Sequence, residues 1–160
     1  MIHAWRIVRR SHAREAFTGD GARIFGGRFN RKGIPAVYAS NHLSLAVLEI
    51  LTQVSRYDDL AGYVAFEVVF DEALMRVVEL PDLPADWRAL PPPESTKILG
   101  TRWAESRESV VLRIPSVILP QESNYIFNPR HEAFTAIDIR PERELEIDQR
   151  LLKQSRPPIL

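Results

Sequence analysis

Three polar residues lie where the local sequence pattern does not need them. Arg28 follows two glycines, Tyr38 lies in a short apolar run, and Glu49 interrupts an apolar helical stretch. A guanidinium offers a planar fork to phosphate, a tyrosine ring stacks on a base, and a carboxylate can stabilise a positive charge. We interpret the three residues as one pocket. The structural alternatives are a surface arginine, a core tyrosine, and a glutamate at the solvent margin or paired with an arginine.

The elements that carry these residues can be predicted from their flanking sequence. The two glycines before Arg28 permit a tight turn or the close approach of a ligand. Residues 36–39 predict a short strand that delivers a tyrosine just ahead of a helix. Ser40 or Asn41 is the expected cap of that helix. Its apolar residues recur between 43 and 54 at the spacing of a helix face that packs against a core.

Arg6 lies between two apolar residues of the first predicted strand, so its side chain faces away from those of Trp5 and Ile7. If this strand borders the pocket, Arg6 is a second clamp for an anion. Otherwise it is an exposed arginine at a sheet edge.

The rest of the chain predicts short strands and few helices. Strands are expected at 3–8, 62–70, 75–80, 109–119, 124–127 and 134–139. A short helix is expected at 84–90, a longer one from a cap at Ser95 or Thr96 to Arg107, and a strand end or terminal helix at 142–154. Residues 62–70 and 75–80 are expected to pair antiparallel. Together these elements predict one α+β domain over residues 1–160, built on a compact and mainly antiparallel mixed sheet.

Charge is balanced over the whole chain but not along it. The formal net charge of the 160 residues is zero. Residues 1–32 hold eight basic and two acidic residues, whereas residues 58–94 hold two basic and nine acidic residues. The basic front could bind DNA or a pyrophosphate, or it could pair with the acidic middle as a solvated face.

Composition also narrows the class of protein. The chain has no cysteine, which excludes disulfides and thiolate catalysis and fits a reducing cytoplasm. Its four histidines lack the spacing of a metalloprotease site, so no metal is expected. No long apolar run predicts a membrane span.

Several sequence blocks together resemble a known family. RFNRKGIPAVYAS followed by LAVLEIL, the opening WRI, the late segment ESVVLRIPS and the closing NYIFNPRH are similar to the RES domain, which is named for an arginine, a glutamate and a serine. These blocks occur in the family's order and extend over nearly the whole chain. The chain is therefore identified by resemblance as a member of that family.

The resemblance implies a fold like that of ADP-ribosylating toxins and NAD as the substrate. It assigns the catalytic residues to Arg28, Tyr38 and Glu49. The family serine fits Ser109 best, with Ser116 and Ser123 as rivals. Contact with NAD is then expected from five residues, namely Arg6, Arg28, Tyr38, Ser109 and Asn124.

The resemblance further implies a bacterial toxin that consumes NAD by cleaving its nicotinamide–ribose bond, by hydrolysis or phosphorolysis, and so arrests growth. Its expected partner is a helix-turn-helix antitoxin of the Xre type. The toxin would contact nucleic acid only through this antitoxin. A homodimer of the toxin within the complex is also possible. The first alternative is a mono-ADP-ribosyltransferase that modifies a cellular protein. The second is a non-catalytic nucleic-acid-binding module that uses the basic front.

Overall fold

A computed structural model describes residues 1–54 and 61–152 of the chain. The described residues form one sheet of eight strands and three α-helices. The strands are β1 (Ile2–Arg9), β2 (Val37–Ser40), β3 (Tyr63–Phe70), β4 (Met75–Val77), β5 (Val111–Pro115), β6 (Ser123–Phe127), β7 (Asp138–Ile139) and β8 (Arg143–Glu144). The helices are α1 (Asp20–Phe25), α2 (Leu43–Leu51) and α3 (Glu94–Ser106). The expected α+β class is confirmed.

The sheet is mainly antiparallel. Its strand order is β4-β5-β6-β2-β1-β3-β7, and β8 also pairs with β3. Only the pairing of β4 with β5 is parallel. The predicted antiparallel pair of β3 and β4 is therefore wrong, because the Asp71 side chain caps a 3-10 turn that redirects the chain after β3.

The sheet must curl strongly. Phe70 ends β3 and Met75 begins β4, so this connection spans at most about 18 Å. The two strands lie five places apart in the strand order, which is about 24 Å in a flat sheet. The rings of Phe70 and Phe127 accordingly meet across the inner face, with centroids 5.4 Å apart.

The two faces of the sheet carry different cores. The inner face buries Phe70, Val111 and Phe127. On the outer face, Trp103 of α3 packs with Leu112 and other residues of one cluster, and Ala46 of α2 packs in a second cluster. None of the helices within the described ranges is long and apolar enough to cross a membrane.

Both predicted helix caps are wrong, although the helices exist. The residue before α2 is His42, and the Ser40 hydroxyl instead donates to Asn124. The residue before α3 is Pro93, and the Thr96 hydroxyl donates to carbonyl oxygens rather than accepting from the helix.

Three other predictions fail in the second half of the chain. Residues 84–90 form hydrogen-bonded turns, not a helix. The strand ends at Pro115, because the Ser116 hydroxyl accepts from the backbone N–H groups of residues 118 and 119 and closes a turn. Within 134–139 only β7 is extended, since the His131 side chain caps a 3-10 helix at Glu132–Ala136.

Helix α1 lies between β1 and β2, outside the elements expected from the sequence. In the last predicted element, 142–154, the structure has β8 and a 3-10 helix at Gln149–Leu152. Residues 153 and 154 lie outside the described part of the chain.

Candidate functional site

The segment that carries Arg28 is folded by two glycines. Gly26 has a φ of 72°, in the left-handed region that favours glycine. Gly27 and Asn30 exchange backbone hydrogen bonds in a tight turn. A Cβ atom on Gly27 would lie 2.7 Å from the Tyr38 hydroxyl. Glycine is required at this position because the turn presses directly against Tyr38.

Arg28 is partly buried and held by a neighbouring turn. Its Nη1 donates to the carbonyl oxygens of Trp87 at 3.0 Å and Ala89 at 2.8 Å. Partial burial lowers its pKa, while the charges of Glu49 and Tyr38 act in the opposite direction. The two hydrogen bonds to Trp87 and Ala89 therefore fix the position of the guanidinium.

The Tyr38 hydroxyl is fully engaged. It donates to Asn30 Oδ1 at 2.7 Å and accepts from the backbone N–H of Phe29 at 3.2 Å. Burial raises the pKa of this phenol well above its usual value, so Tyr38 is neutral at physiological pH. The hydroxyl thus fixes the Arg28 segment, and the ring is what remains to meet a ligand.

Glu49 is oriented by two donors on one oxygen. Its Oε1 accepts from Asn124 Nδ2 at 2.6 Å and from the Ser116 hydroxyl at 3.3 Å. Asn124 is itself oriented by the Ser40 hydroxyl, which donates to its Oδ1 at 2.9 Å. Ser40 and Asn124 are partners in the β2–β6 register, and Tyr38 lies two residues before Ser40 on the same face of the sheet.

Helix α3 supports the other side of the Arg28 segment. The Thr96 hydroxyl donates to the Arg28 carbonyl oxygen at 2.7 Å, and the Thr101 hydroxyl accepts from the Arg31 N–H at 3.1 Å. Between them, a Cβ atom on Gly100 would overlap the Phe29 carbonyl oxygen. The segment therefore packs directly on the helix backbone.

Arg6 does not join this group. Trp5 pairs with Ser40 and shares its face of the sheet, so Arg6 points to the opposite face. Its guanidinium donates to the carbonyl oxygens of Ala16 at 2.6 Å and Tyr38 at 2.8 Å. Burial lowers its pKa to about 10. The predicted second anion clamp thus serves as a tie between backbone segments.

The three candidate serines lie in different places. The Ser109 hydroxyl accepts from the Trp103 indole and donates to the Val111 carbonyl. Ser109 precedes the first residue of β5, whereas Ser116 follows its last residue. Ser123 accepts from Arg113 and alternates with Asn124, so it faces the inner side. Among the three, only Ser116 contacts Glu49.

Two site residues were missed from the sequence, Ser40 and Asn30. Period-2 alternation along residues 36–40 would have placed Ser40 beside Tyr38. The buried Asn30 gives no such signal, because its side chain is defined by contacts with Ala22, Arg31 and Ile34 that only the fold creates.

No cluster of three potential metal ligands occurs among residues 1–54 and 61–152. The assembled groups are instead a guanidinium, a neutral phenol, a carboxylate and its amide and hydroxyl donors. Such a set can bind phosphates, stack on a planar ring and stabilise a developing positive charge.

Comparison with known proteins gives a consistent family. The RES domain family matches residues 3–148. The chain is 37% identical over 130 residues to "Toxin Res" of Yersinia enterocolitica, covering 81% of this chain and 86% of that protein. It is 34% identical over 156 residues to the "Prs ADP-ribosylating toxin" of a Sphingobium species, covering 94% and 97%.

A solved structure shares the fold. A chain of the M. tuberculosis MbcT–MbcA toxin–antitoxin complex superposes with a TM-score of 0.73 at 16% identity, covering 90% of this chain and 84% of that one. At this identity the likeness concerns the fold alone. The family match and the two toxin relatives together establish that this chain belongs to the RES domain family.

Proposed function

We propose that this protein is the toxin of a toxin–antitoxin pair and that it cleaves the nicotinamide–ribose bond of NAD. The observation that carries the proposal is a set of hydrogen bonds: Glu49 binds Asn124, Asn124 binds Ser40 of β2, and Tyr38 of the same strand binds the backbone next to Arg28. The toxin relatives support the class of protein, and the relative named as an ADP-ribosylating toxin supports NAD chemistry.

Glu49 would stabilise the reacting ribose. Nicotinamide leaves as a neutral molecule, so strong acid catalysis is unnecessary and the barrier reflects positive charge that develops on the ribose. Asn124 and Ser116 both bind Oε1 of Glu49, and they hold the carboxylate in one orientation. In this proposal Oε2 faces the ribose, where it stabilises the oxocarbenium ion and accepts from a ribose hydroxyl.

Arg28 and Tyr38 would bind the rest of the dinucleotide. A guanidinium has five N–H donors, and the two recorded contacts of Arg28 use one of its terminal nitrogens. The remaining donors can bind the pyrophosphate. The Tyr38 hydroxyl is engaged by Asn30 and Phe29, so Tyr38 contributes its ring, by stacking on the nicotinamide. Ser116, rather than Ser109, is the serine of the site in this proposal.

Water is the first candidate nucleophile for the ribose carbon. The C–N bond to nicotinamide breaks and its electron pair neutralises the pyridinium nitrogen. A water oxygen bonds to the same ribose carbon and loses a proton to Glu49 or to solvent. The products are ADP-ribose and nicotinamide. Phosphate in place of water would give the phosphorylated sugar.

A protein side chain is the second candidate nucleophile. The Sphingobium relative is named as an ADP-ribosylating toxin and matches 94% of this chain. The same pocket would then transfer ADP-ribose to a protein, with nicotinamide again the leaving group.

An antitoxin partner belongs to the proposal. The structural neighbour comes from a toxin–antitoxin complex. We expect a helix-turn-helix antitoxin of the Xre type to cover the pocket near Arg28 and to restrain the toxin in the cytoplasm, with the toxin as one copy or as a homodimer.

The test is to incubate the purified protein with NAD and to measure the released nicotinamide by chromatography. We expect release by the wild type, and a loss of about a hundredfold or more for Glu49→Gln. Glu15→Gln, at an exposed carboxylate away from the site, is the matched control and should match the wild type. Radiolabel from adenine-labelled NAD that becomes protein-bound in a cell extract would favour the transferase over the hydrolase. No nicotinamide release under either condition would refute the proposal.

A further inference from the structure

A groove runs between residues 31–35 and the outer side of α3. It consists of two adjoining cavities, of about 330 and 220 Å³, and both are lined by Ile34 and Glu105. The groove is separate from the Glu49 contacts described above. The candidate reaction gives it no role.

The groove concentrates positive charge on a chain whose formal net charge is zero. Five basic residues and one acidic residue, Glu105, line it; the basic ones are Arg31, Lys32, Arg102, Arg107 and Arg130. Arg31 pairs with Glu94. The other four are exposed, and no ion pair joins them to any residue in the described ranges.

One of these cations is held in an unusual backbone conformation. Arg107 follows α3 with a φ of 53°, where glycine is the usual residue. The His131 Nδ1 accepts from the Ala133 N–H, so its Nε2 carries the hydrogen and donates to the Arg107 carbonyl at 3.0 Å. Arginine is not the residue that this backbone conformation favours, so we infer that the Arg107 side chain is the reason for arginine at this position.

The groove floor decides the class of ligand. Its uncharged residues are mainly aliphatic, with Ile34, Pro35, Ile98 and Ala104 beside Thr101 and Asn128, and no aromatic side chain of the described residues lines either cavity. Nucleic-acid strands bind through aromatic stacking as well as cations. An aliphatic floor with a cationic rim complements a peptide that has acidic and aliphatic side chains.

We propose that this groove binds an acidic amphipathic segment of a partner protein. The aliphatic side chains of that segment pack on Ile34 and Ile98, and its carboxylates meet Arg102, Arg107 and Arg130. The inference goes beyond NAD cleavage and does not depend on it. Residues 31–34 form the wall of the groove and continue directly from the Arg28 segment.

The test uses the full chain with methyl-labelled isoleucines and NMR. The probe is an eighteen-residue peptide of glutamate, leucine and alanine, with its leucines at helical spacing. Binding should shift the Ile34 and Ile98 methyl signals before those of other isoleucines. A twelve-nucleotide single-stranded DNA at the same concentration is the second probe and should shift them less.

The variant Arg102→Ala/Arg107→Gly removes two cations, and glycine suits the backbone at 107, so the fold is kept. It should weaken peptide binding at least about fivefold, the loss expected for two surface charges. Arg14→Ala, at an exposed arginine elsewhere, should bind the peptide as the wild type does.

Three results would overturn the proposal: methyl shifts that do not centre on Ile34 and Ile98, equal losses in the groove variant and in Arg14→Ala, or stronger shifts with the DNA. Nicotinamide release by the groove variant should equal that of the wild type. The outcome for this groove is therefore independent of the outcome for NAD cleavage.

Discussion

At the scale of single residues, the groups proposed to touch a ligand are distinct from the groups that hold them in place. Glu49 is oriented by Asn124 and Ser116, and Asn124 by Ser40. A carboxylate fixed in this way needs little reorganisation when positive charge develops beside it.

Tyr38 illustrates the same division within one side chain. In Tyr38→Phe, Asn30 Oδ1 loses its donor and the Phe29 N–H loses its acceptor, while the ring remains. We expect the free energy of unfolding to fall by about 1–3 kcal/mol, because buried polar groups lose their partners. The KM for NAD should stay within about threefold of the wild type, because stacking persists. Chemical denaturation and steady-state kinetics measure the two effects.

Tyr63→Phe is a matched control, since the Tyr63 hydroxyl makes no recorded hydrogen bond with the described residues. It should leave both quantities nearly unchanged. A large rise in KM for Tyr38→Phe, without a loss of stability, would mean that the hydroxyl binds the substrate directly.

The sequence marks Arg28, Tyr38 and Glu49 as candidates because each breaks a local pattern, and their role stays a prediction. It could not separate the three serines by such a pattern. Ser116 reaches Glu49 only because β5 ends at Pro115 and the chain turns there. The sequence likewise left the role of Arg6 open, because its face relative to the site follows from the single pairing of Trp5 with Ser40.

At the scale of elements, α3 is the support of the Arg28 segment. Gly100 lies where the backbone of that segment meets the helix, flanked by hydrogen bonds from Thr96 and Thr101. A glycine within a helix ordinarily destabilises it relative to alanine. The structure gives the glycine a packing reason.

Gly100→Ala should destabilise the protein by roughly 3 kcal/mol, because the new methyl group overlaps backbone atoms that cannot move aside without shifting Arg28. Gly21→Ala, in α1, is the matched control, because a Cβ atom there meets nothing within 4 Å. Its free energy of unfolding should change by less than about 0.5 kcal/mol. Equal stability of the two variants in urea denaturation would show that the close contact is absent.

A second set of contacts between elements joins β3 to β1 and to residues 140–143. Glu67 of β3 is 8% exposed and binds His3 at 2.7 Å, Arg140 at 3.0 Å and Arg143 at 3.5 Å. The hydrogen bond from His3, aided by Arg140, lowers the pKa of this carboxyl below the ordinary glutamate value of 4.5. A carboxyl with a lowered folded-state pKa stabilises the fold above its unfolded pKa and loses that contribution as the pH falls.

Glu67→Gln should therefore lower the Tm at pH 7, and its difference from the wild type should shrink as the pH falls below 4.5. Calorimetry from pH 7 to pH 3 measures this, with Glu15→Gln as a control that stays parallel to the wild type. A Tm difference that is constant over that range would exclude a role for the Glu67 charge.

Strand prediction succeeded where apolar residues were dense and failed where side chains redirect the backbone. β3 and β6 were placed nearly as the structure has them. The turns after Asp71, Ser116 and His131 are each made by a side chain bonding to nearby backbone N–H groups. Hydrogen bonds from these side chains to the nearby backbone compete with the hydrogen bonds of a strand, and the tertiary contacts decide which of the two forms.

At the scale of the whole molecule, the basic front does not form a cationic face. Arg6 and Arg28 bind carbonyl oxygens, and Arg10, Arg23 and Arg31 pair with carboxylates. Of these carboxylates, only Glu94 belongs to the acidic residues 58–94 that the sequence suggested as partners, since Glu144 and Asp20 lie outside that range. The structure thus offers little support for a nucleic-acid module built on residues 1–32 as a whole. Arg31 and Lys32 are the part of that front that lies beside α3.

The curl of the sheet encloses the inner core and leaves the site residues of β2 and β6 on the outer face. It follows from the short link between β3 and β4, which sequence reasoning interpreted as a hairpin. The antiparallel pairing of β2 with β6 sets Asn124 beside Ser40, within reach of Glu49. This strand pairing is the physical reason why Asn124 and Glu49 meet, whereas a shared role of Arg28, Tyr38 and Glu49 stays a prediction.

The central claim is that Arg28, Tyr38 and Glu49 bind one NAD molecule. The most direct measurement is a crystal structure of the Glu49→Gln variant with NAD, in which the substrate remains intact. The account predicts the pyrophosphate against Arg28, the nicotinamide on the Tyr38 ring and the adjoining ribose beside residue 49. NAD bound elsewhere, or a ribose remote from residue 49 with Arg28 still bound only to Trp87 and Ala89, would contradict it.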